Sequence, residues 1–180
     1  KDFDQYKLEK SENIAFTAIF NELIRKHDQQ ALVDYWQKLT KKIKQREAVL
    51  FAYCRILAEN GIVAPLEKLL LPTLKKEASD NFIKQLTELP LAKATNQTEI
   101  FIAAVQKHLH VNQHSIKWLA CLGHLALAAG QWQMSEKAFH SLFTVEGYLT
   151  NNDDLKACAL ALSKQSKYHQ ANELLQQILN

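Results

Sequence analysis

Apolar residues recur at three- and four-residue intervals along nearly the whole chain, and no run alternates apolar and polar as a half-buried strand would. The spacing predicts helices from end to end. It is clearest over 118–142, WLACLGHLALAAGQWQMSEKAFHSL, which reads as two short helices hinged at Gly130. Gly123 lets a neighbouring helix approach closely, and Gly130 supplies the left-handed conformation that ends the first helix. Ser135 falls where the two helices cross. Trp132, Phe139 and Leu142 share one face of the second helix, so Trp132 is expected inside, between helices.

Moving this pattern forward from Gly123 to Ala159, a shift of 36 residues, places small on small (Ser135 on Ala171), aromatic on aromatic (Trp132 on Tyr168) and bulk on bulk (Phe139 on Leu175, Leu142 on Ile178). The hinge Gly130 falls on Ser166. Moving it back from Gly130 to Gly61, a shift of 69 residues, keeps the hinge glycine with a weaker match around it. Helix pairs with a period of about 34 residues resemble tetratricopeptide repeats, which stack into a right-handed superhelix. The expected fold is therefore all-α: two helices of a truncated leading repeat over 1–45, then helix pairs over 46–79, 80–114, 115–149 and 150–180, in one continuous domain.

Within this frame, a helix is expected over 11–26, capped by Ser11, with Ile14, Phe16, Ala18, Ile19, Phe20, Leu23 and Ile24 on its apolar face. A second follows over 30–44, carrying Leu32, Tyr35, Trp36, Leu39 and Ile43. Pro65 suits a first helical turn, whereas Pro72 should kink or shorten its helix. Pro90 ends a short helix over 80–89, and helix resumes near Thr98 with Ile100, Phe101, Ala104, Val105 and Leu109 inward. Gly147 loosens the join to the last pair. Trp36, Tyr53, Trp118, Trp132 and Tyr168 recur at repeat positions, which assigns them to packing.

Composition narrows the function. At 180 residues and 47% hydrophobic the chain can bury a sizeable core, while a net charge of +3 falls short of the basic stripe of a nucleic-acid binder. Nucleic acid is not expected as a partner. Cys54, Cys121 and Cys158 sit in apolar helical patterns and read as small core residues, weakly favouring a reducing, cytoplasmic-type compartment. Phosphate-loop, dinucleotide, nucleophile-elbow, zinc-helix and C-x-x-C motifs are absent from the sequence. No catalytic residue, metal site or cofactor is assigned. His108, His110 and His114 cluster at a helix end, where solvated histidines are common, and His124 lies three residues beyond Cys121 as a groove-lining side chain. Lys38, Lys41, Lys42, Lys44 and Arg46 crowd one bend. They suit a solvated helix end, or a patch meeting acidic lipid or an acidic partner.

The run W-x-x-L at 36–39, AYCRILAENG at 52–61, LEKLLLPTLKK at 66–76 and LGHLALAAGQW at 122–132 resembles the C-terminal part of the proteobacterial HemY family, over roughly 32–179. The family usually has Leu-Pro where this chain has Leu39-Thr40. The resemblance implies a tetratricopeptide domain of an inner-membrane protein associated with haem biosynthesis, anchored through a segment not in this sequence. An unrelated flavin-dependent protoporphyrinogen oxidase has carried the same family name, but this chain lacks its dinucleotide-binding glycines and that activity is not transferred. The expected function is a non-catalytic scaffold for protein partners, with enzymes of haem biosynthesis the implied candidates. Its groove, lined by the first helix of each pair, is expected to include Phe51, Arg55, Lys117, His124, Lys156, Leu160 and Lys164, a basic set suited to an acidic peptide. The alternatives are a domain that binds porphyrin or haem through Arg55, Lys117 or Lys156, and a tetratricopeptide adaptor unconnected with haem.

Overall fold

In the computed structural model, which describes residues 2–26, 28–76, 78–91 and 95–179, every regular element is a helix. The chain is all-α. Its residues group into two compact units, Lys1–Leu69 and Leu70–Asn180, divided inside one helix.

The first unit holds α1 (Asp2–Lys26), α2 (Gln29–Lys38), α3 (Lys41–Lys44) and α4 (Glu47–Glu59), and α5 (Ala64–Leu74) begins in it. Side-chain caps start two of these helices: Asp28 accepts from the Ala31 amide and Thr40 from the Ile43 amide. α1 packs against α2 and α4, and its Phe20 is the centre of the core, with ring centroids 6.1 Å from Tyr35, 6.3 Å from Trp36 and 5.4 Å from Tyr53. Trp36 and Tyr53 stack face to face at 4.1 Å. α1 differs from its expected start, because Ser11 lies inside a helix that continues to Asp2 with no glycine or proline to stop it. Its buried face is also narrower than expected: Ile14 and Ile19 are exposed. Pro72 does shorten α5, which ends two residues later.

The second unit holds α6 (Asp80–Thr87), α7 (Thr95–Val111), α8 (Ile116–Ala128), α9 (Trp132–Phe143), α10 (Asn152–Lys164) and α11 (Tyr168–Leu179). α8 pairs with α9 and α10 with α11. α10 also touches both α8 and α9, while α6 and α7 pack on α8. In α7, Phe101, Ala104 and Val105 are buried as expected, but Ile100 is exposed and the helix begins at Thr95. Residues 92–94 of the expected loop lie outside the described residues.

The hinges repeat in atomic detail. Gly130 has φ +74°, its amide bonds to the Leu127 carbonyl, and the next amide, of Gln131, bonds to the Ala126 carbonyl. Thirty-six residues later, Ser166 takes φ +61° and donates to Ser163, while Lys167 donates to Leu162. Gly61, φ +72°, donates to Ala58, and Ile62 to Leu57. One helix-ending motif, a left-handed residue closed by two backbone bonds, therefore ends α4, α8 and α10. Ser166 bears the Cβ penalty that the glycines avoid. Ser166→Gly is expected to stabilise the protein by ~1 kcal/mol, seen as a higher denaturant midpoint.

The crossing of α8 and α9 has the predicted chemistry. Ser135 is fully buried and its Oγ donates to the Gly123 carbonyl at 2.9 Å. A Cβ on Gly123 would stand 2.6 Å from Phe139 Cζ, which belongs to a fully buried ring with little room to yield. Gly123→Ala is expected to cost ~1–3 kcal/mol through overpacking, measured by chemical denaturation.

Three further expected core positions, in the last two helix pairs, are not core. Trp132 is half-buried: it opens α9 and lays its indole 3.5–4.0 Å from where a Gly130 Cβ would stand, covering the hinge. Tyr168 and Leu175, the analogues of Trp132 and Phe139 in the last pair, are exposed. Phe139 shares a buried cluster with Cys158 and Leu162 of the following helix, whereas no described helix follows α11.

Candidate functional site

Successive turns of α6 and α8 and the start of α10 face one groove of about 540 Å³ in the second unit. From α6 come Asp80, Ile83, Lys84 and Thr87, and from its C-cap Glu88, at the i, i+3, i+4, i+7, i+8 spacing of a single helix face. α8 contributes Lys117, Ala120, Cys121 and His124 by the same spacing. Asn151, Asp153 and Asp154 close it at the N-terminus of α10.

Asp154 organises one end. It is buried, and its carboxylate accepts from His124 Nε2 at 2.7 Å, the Tyr148 hydroxyl at 2.6 Å and Asn151 Nδ2 at 2.5 Å. Burial pushes its pKa up, but these donors and the charge of His124 outweigh burial and hold it below the ordinary carboxylate value. A carboxylate can only accept, so His124 Nε2 is the donor of this pair. Asn151 also caps α10, its Oδ1 accepting from the amides of Asp153 and Asp154. Tyr148 is pushed well above its usual pKa by burial and by bonding to Asp154.

Lys117 organises the other end. Its Nζ donates to the Ala78 carbonyl at 3.1 Å, lies 3.8 Å from Asp80 and stands over the Trp118 ring at 5.4 Å. Trp118 in turn stacks on His108 at 4.1 Å, and His108 Nε2 donates to the Leu74 carbonyl at 2.7 Å. His108 is thus a packing residue; His110 and His114 are both exposed.

Cys121, His124 and Asp154 place a thiol, an imidazole and a carboxylate on one groove. The thiol is not a nucleophile: it is fully buried, and burial pushes its pKa up to about 12. Cys158 is likewise raised to about 12, by burial and then by Glu136, and Cys54 is raised by burial. All three are free and buried, as expected of core cysteines.

Of the seven residues expected to line a partner groove, the structure brings together two, Lys117 and His124. Phe51 is corrected: it is 2% exposed, because α4 is apolar on nearly all sides and buries Phe51 with Ala48, Val49, Ala52, Tyr53, Cys54 and Ile56. Arg55 is half-buried in the first unit. Lys156, Leu160 and Lys164 form an exposed stripe along α10, outside the groove lining. Within the basic bend, Lys38, Lys41 and Lys42 are exposed. Lys44 instead donates to the Gln37 carbonyl at 2.9 Å and sits over Trp36, and Arg46 pairs with Glu12 of α1. The acidic lining contributed by Asp80, Glu88, Asp153 and Asp154 is not among the expectations from sequence. Its signal there is the S-D pair opening α6 and the N-N-D-D run opening α10, both of which read as ordinary helix starts.

The arrangement defines an all-α protein of packed helix pairs with a polar groove along one set of helices. The chain matches no protein-family model, no curated protein and no solved structure in comparisons with each. Among the described residues, no helix is long and apolar enough to cross a membrane.

Proposed function

We propose that this chain is a non-catalytic protein–protein interaction scaffold whose helix pairs stack as a tetratricopeptide-like right-handed superhelix and whose groove between α6, α8 and α10 receives a segment of a partner. The observation that carries this reading is the groove itself: three sequence-distant helices present matched faces to it. Its most reactive side chains, Cys121 and His124, are engaged in packing and in the Asp154 network rather than poised for chemistry. The sequence resemblance to the HemY family supplies the setting, a membrane-anchored bacterial protein of haem biosynthesis whose partners are enzymes of that pathway. Porphyrin binding is the weaker reading, since two of the three cations assigned to it, Arg55 and Lys156, do not line the groove and the third, Lys117, is already engaged.

The test is an affinity capture of pathway enzymes by the parent protein, with the groove filled by Ala120→Trp in a parallel sample. Capture that is lost in the filled variant supports the scaffold and the groove together. Equal capture by both variants moves binding elsewhere on the molecule. A porphyrin absorbance shift on titration, abolished by the same substitution, would replace the scaffold reading.

A further inference from the structure

The groove's charges do not match an acidic ligand. Its lining holds four carboxylates, Asp80, Glu88, Asp153 and Asp154, against two lysines, Lys84 and Lys117. The donors are also largely consumed within the protein. Lys117 is bonded to the Ala78 carbonyl and lies near Asp80, while His124 Nε2, Tyr148 and Asn151 Nδ2 all point at Asp154. What is left facing an occupant is weighted toward acceptors: the exposed carboxylates of Asp80, on α6, and Asp153, on α10. Between these acceptors lies an apolar floor of Ile83, Ala120 and Cys121.

An apolar floor rimmed by acceptors fits a long side chain that buries methylenes and keeps a charged, multi-donor head at the rim. Resting on the reading of this groove as a docking site, we infer that its occupant is a cationic side chain, arginine ahead of lysine, on an exposed segment of a partner protein. Arginine is favoured because its planar head carries five donors and reaches two separated acceptors at once, whereas an ammonium is a single point charge. An acidic segment would bring its carboxylates against Asp80, Glu88 and Asp153 with only Lys84 to receive them, which disfavours it by repulsion.

A random-peptide display library selected against the whole chain tests this. Selected peptides are titrated against the parent protein, against D80N/D153N, against K84Q and against A120W, with helical spectra and melting curves confirming that each variant is folded. The expected result is enrichment of arginine- or lysine-bearing peptides that bind D80N/D153N on the order of tenfold more weakly at low salt. The same peptides should bind K84Q more tightly than the parent, an opposite shift that general destabilisation would not produce, and should fail to bind A120W. Peptides blocked by A120W that are acidic or uncharged, or that bind D80N/D153N as tightly as the parent, overturn the cationic occupant while leaving the groove as a docking site. If no selected peptide is sensitive to A120W, the docking site fails and the occupant with it.

Discussion

Phe139→Ala is expected to lower the unfolding free energy by ~3–5 kcal/mol, the cost of deleting a large side chain from a packed interior. Phe139 is 0% exposed and lies where three packing relations converge. Its ring fills the space that Gly123 leaves by lacking a Cβ, stands edge-on to His124 at 5.1 Å, and joins Leu142, Cys158 and Leu162 in the buried cluster between consecutive helix pairs. The cavity would therefore open at the junction of α8, α9 and α10, and relaxation there is limited by the Ser135–Gly123 hydrogen bond that fixes the crossing of α8 and α9. Urea denaturation followed by far-ultraviolet circular dichroism measures the effect. Trp132→Ala supplies the contrast: its half-buried ring covers a hinge, and its loss should cost clearly less than that of Phe139. A larger loss for Trp132 than for Phe139 would contradict the packing described.

Asp154→Ala is expected to destabilise by ~3 kcal/mol or more, because it removes the acceptor on which His124, Tyr148 and Asn151 converge and leaves those donors unpaired in a partly buried site. The loss falls on the junction between α8, the 144–151 connection and α10. Asp154 is held below its ordinary pKa in the folded protein, the three donors outweighing the opposing effect of burial. The sign follows from that direction. The unfolded chain binds the Asp154 proton first as pH falls, so the stabilisation is fully present above the ordinary carboxylate pKa of about 4 and is lost as pH drops through the folded value. Asp154→Asn should accordingly flatten the acid limb of the stability profile, with its deficit largest near neutral pH and smaller in strong acid. Parent and D154N profiles that run parallel at every pH would show that the carboxylate charge does not contribute.

The pattern of the helices was legible because it depends on local chemistry. Gly61 and Gly130 mark their hinges in the sequence since few residues tolerate a positive φ, and the 36-residue shift located the third hinge at Ser166 although serine is a poor signal for it. Gly123, Ser135 and Phe139 were readable as a crossing for a similar reason: a missing Cβ, a small hydroxyl and a ring at fixed spacing fit together in one way. The groove was not legible in the same way. Asp154 lies in a run that looks like an ordinary helix cap, and nothing local says that its carboxylate turns inward to meet His124, 30 residues earlier.

Helical periodicity and backbone stereochemistry act over a few residues, and for that reason the all-α character, the hinge positions, and the burial of Phe20, Trp36, Phe139 and the three cysteines all follow from the order of residues alone. Which charged side chains face the groove, and which are already engaged, depends instead on how the helices pack. Periodicity assigns a residue to a helix face but not to the element that face meets. Thus Phe51, placed in the groove by register, is buried by the all-round apolar surface of α4; Lys117, placed there to meet an acidic peptide, is bonded to the Ala78 carbonyl; and the groove's balance of charge is set by Asp80, Glu88, Asp153 and Asp154, which α6 and α10 bring together across α8.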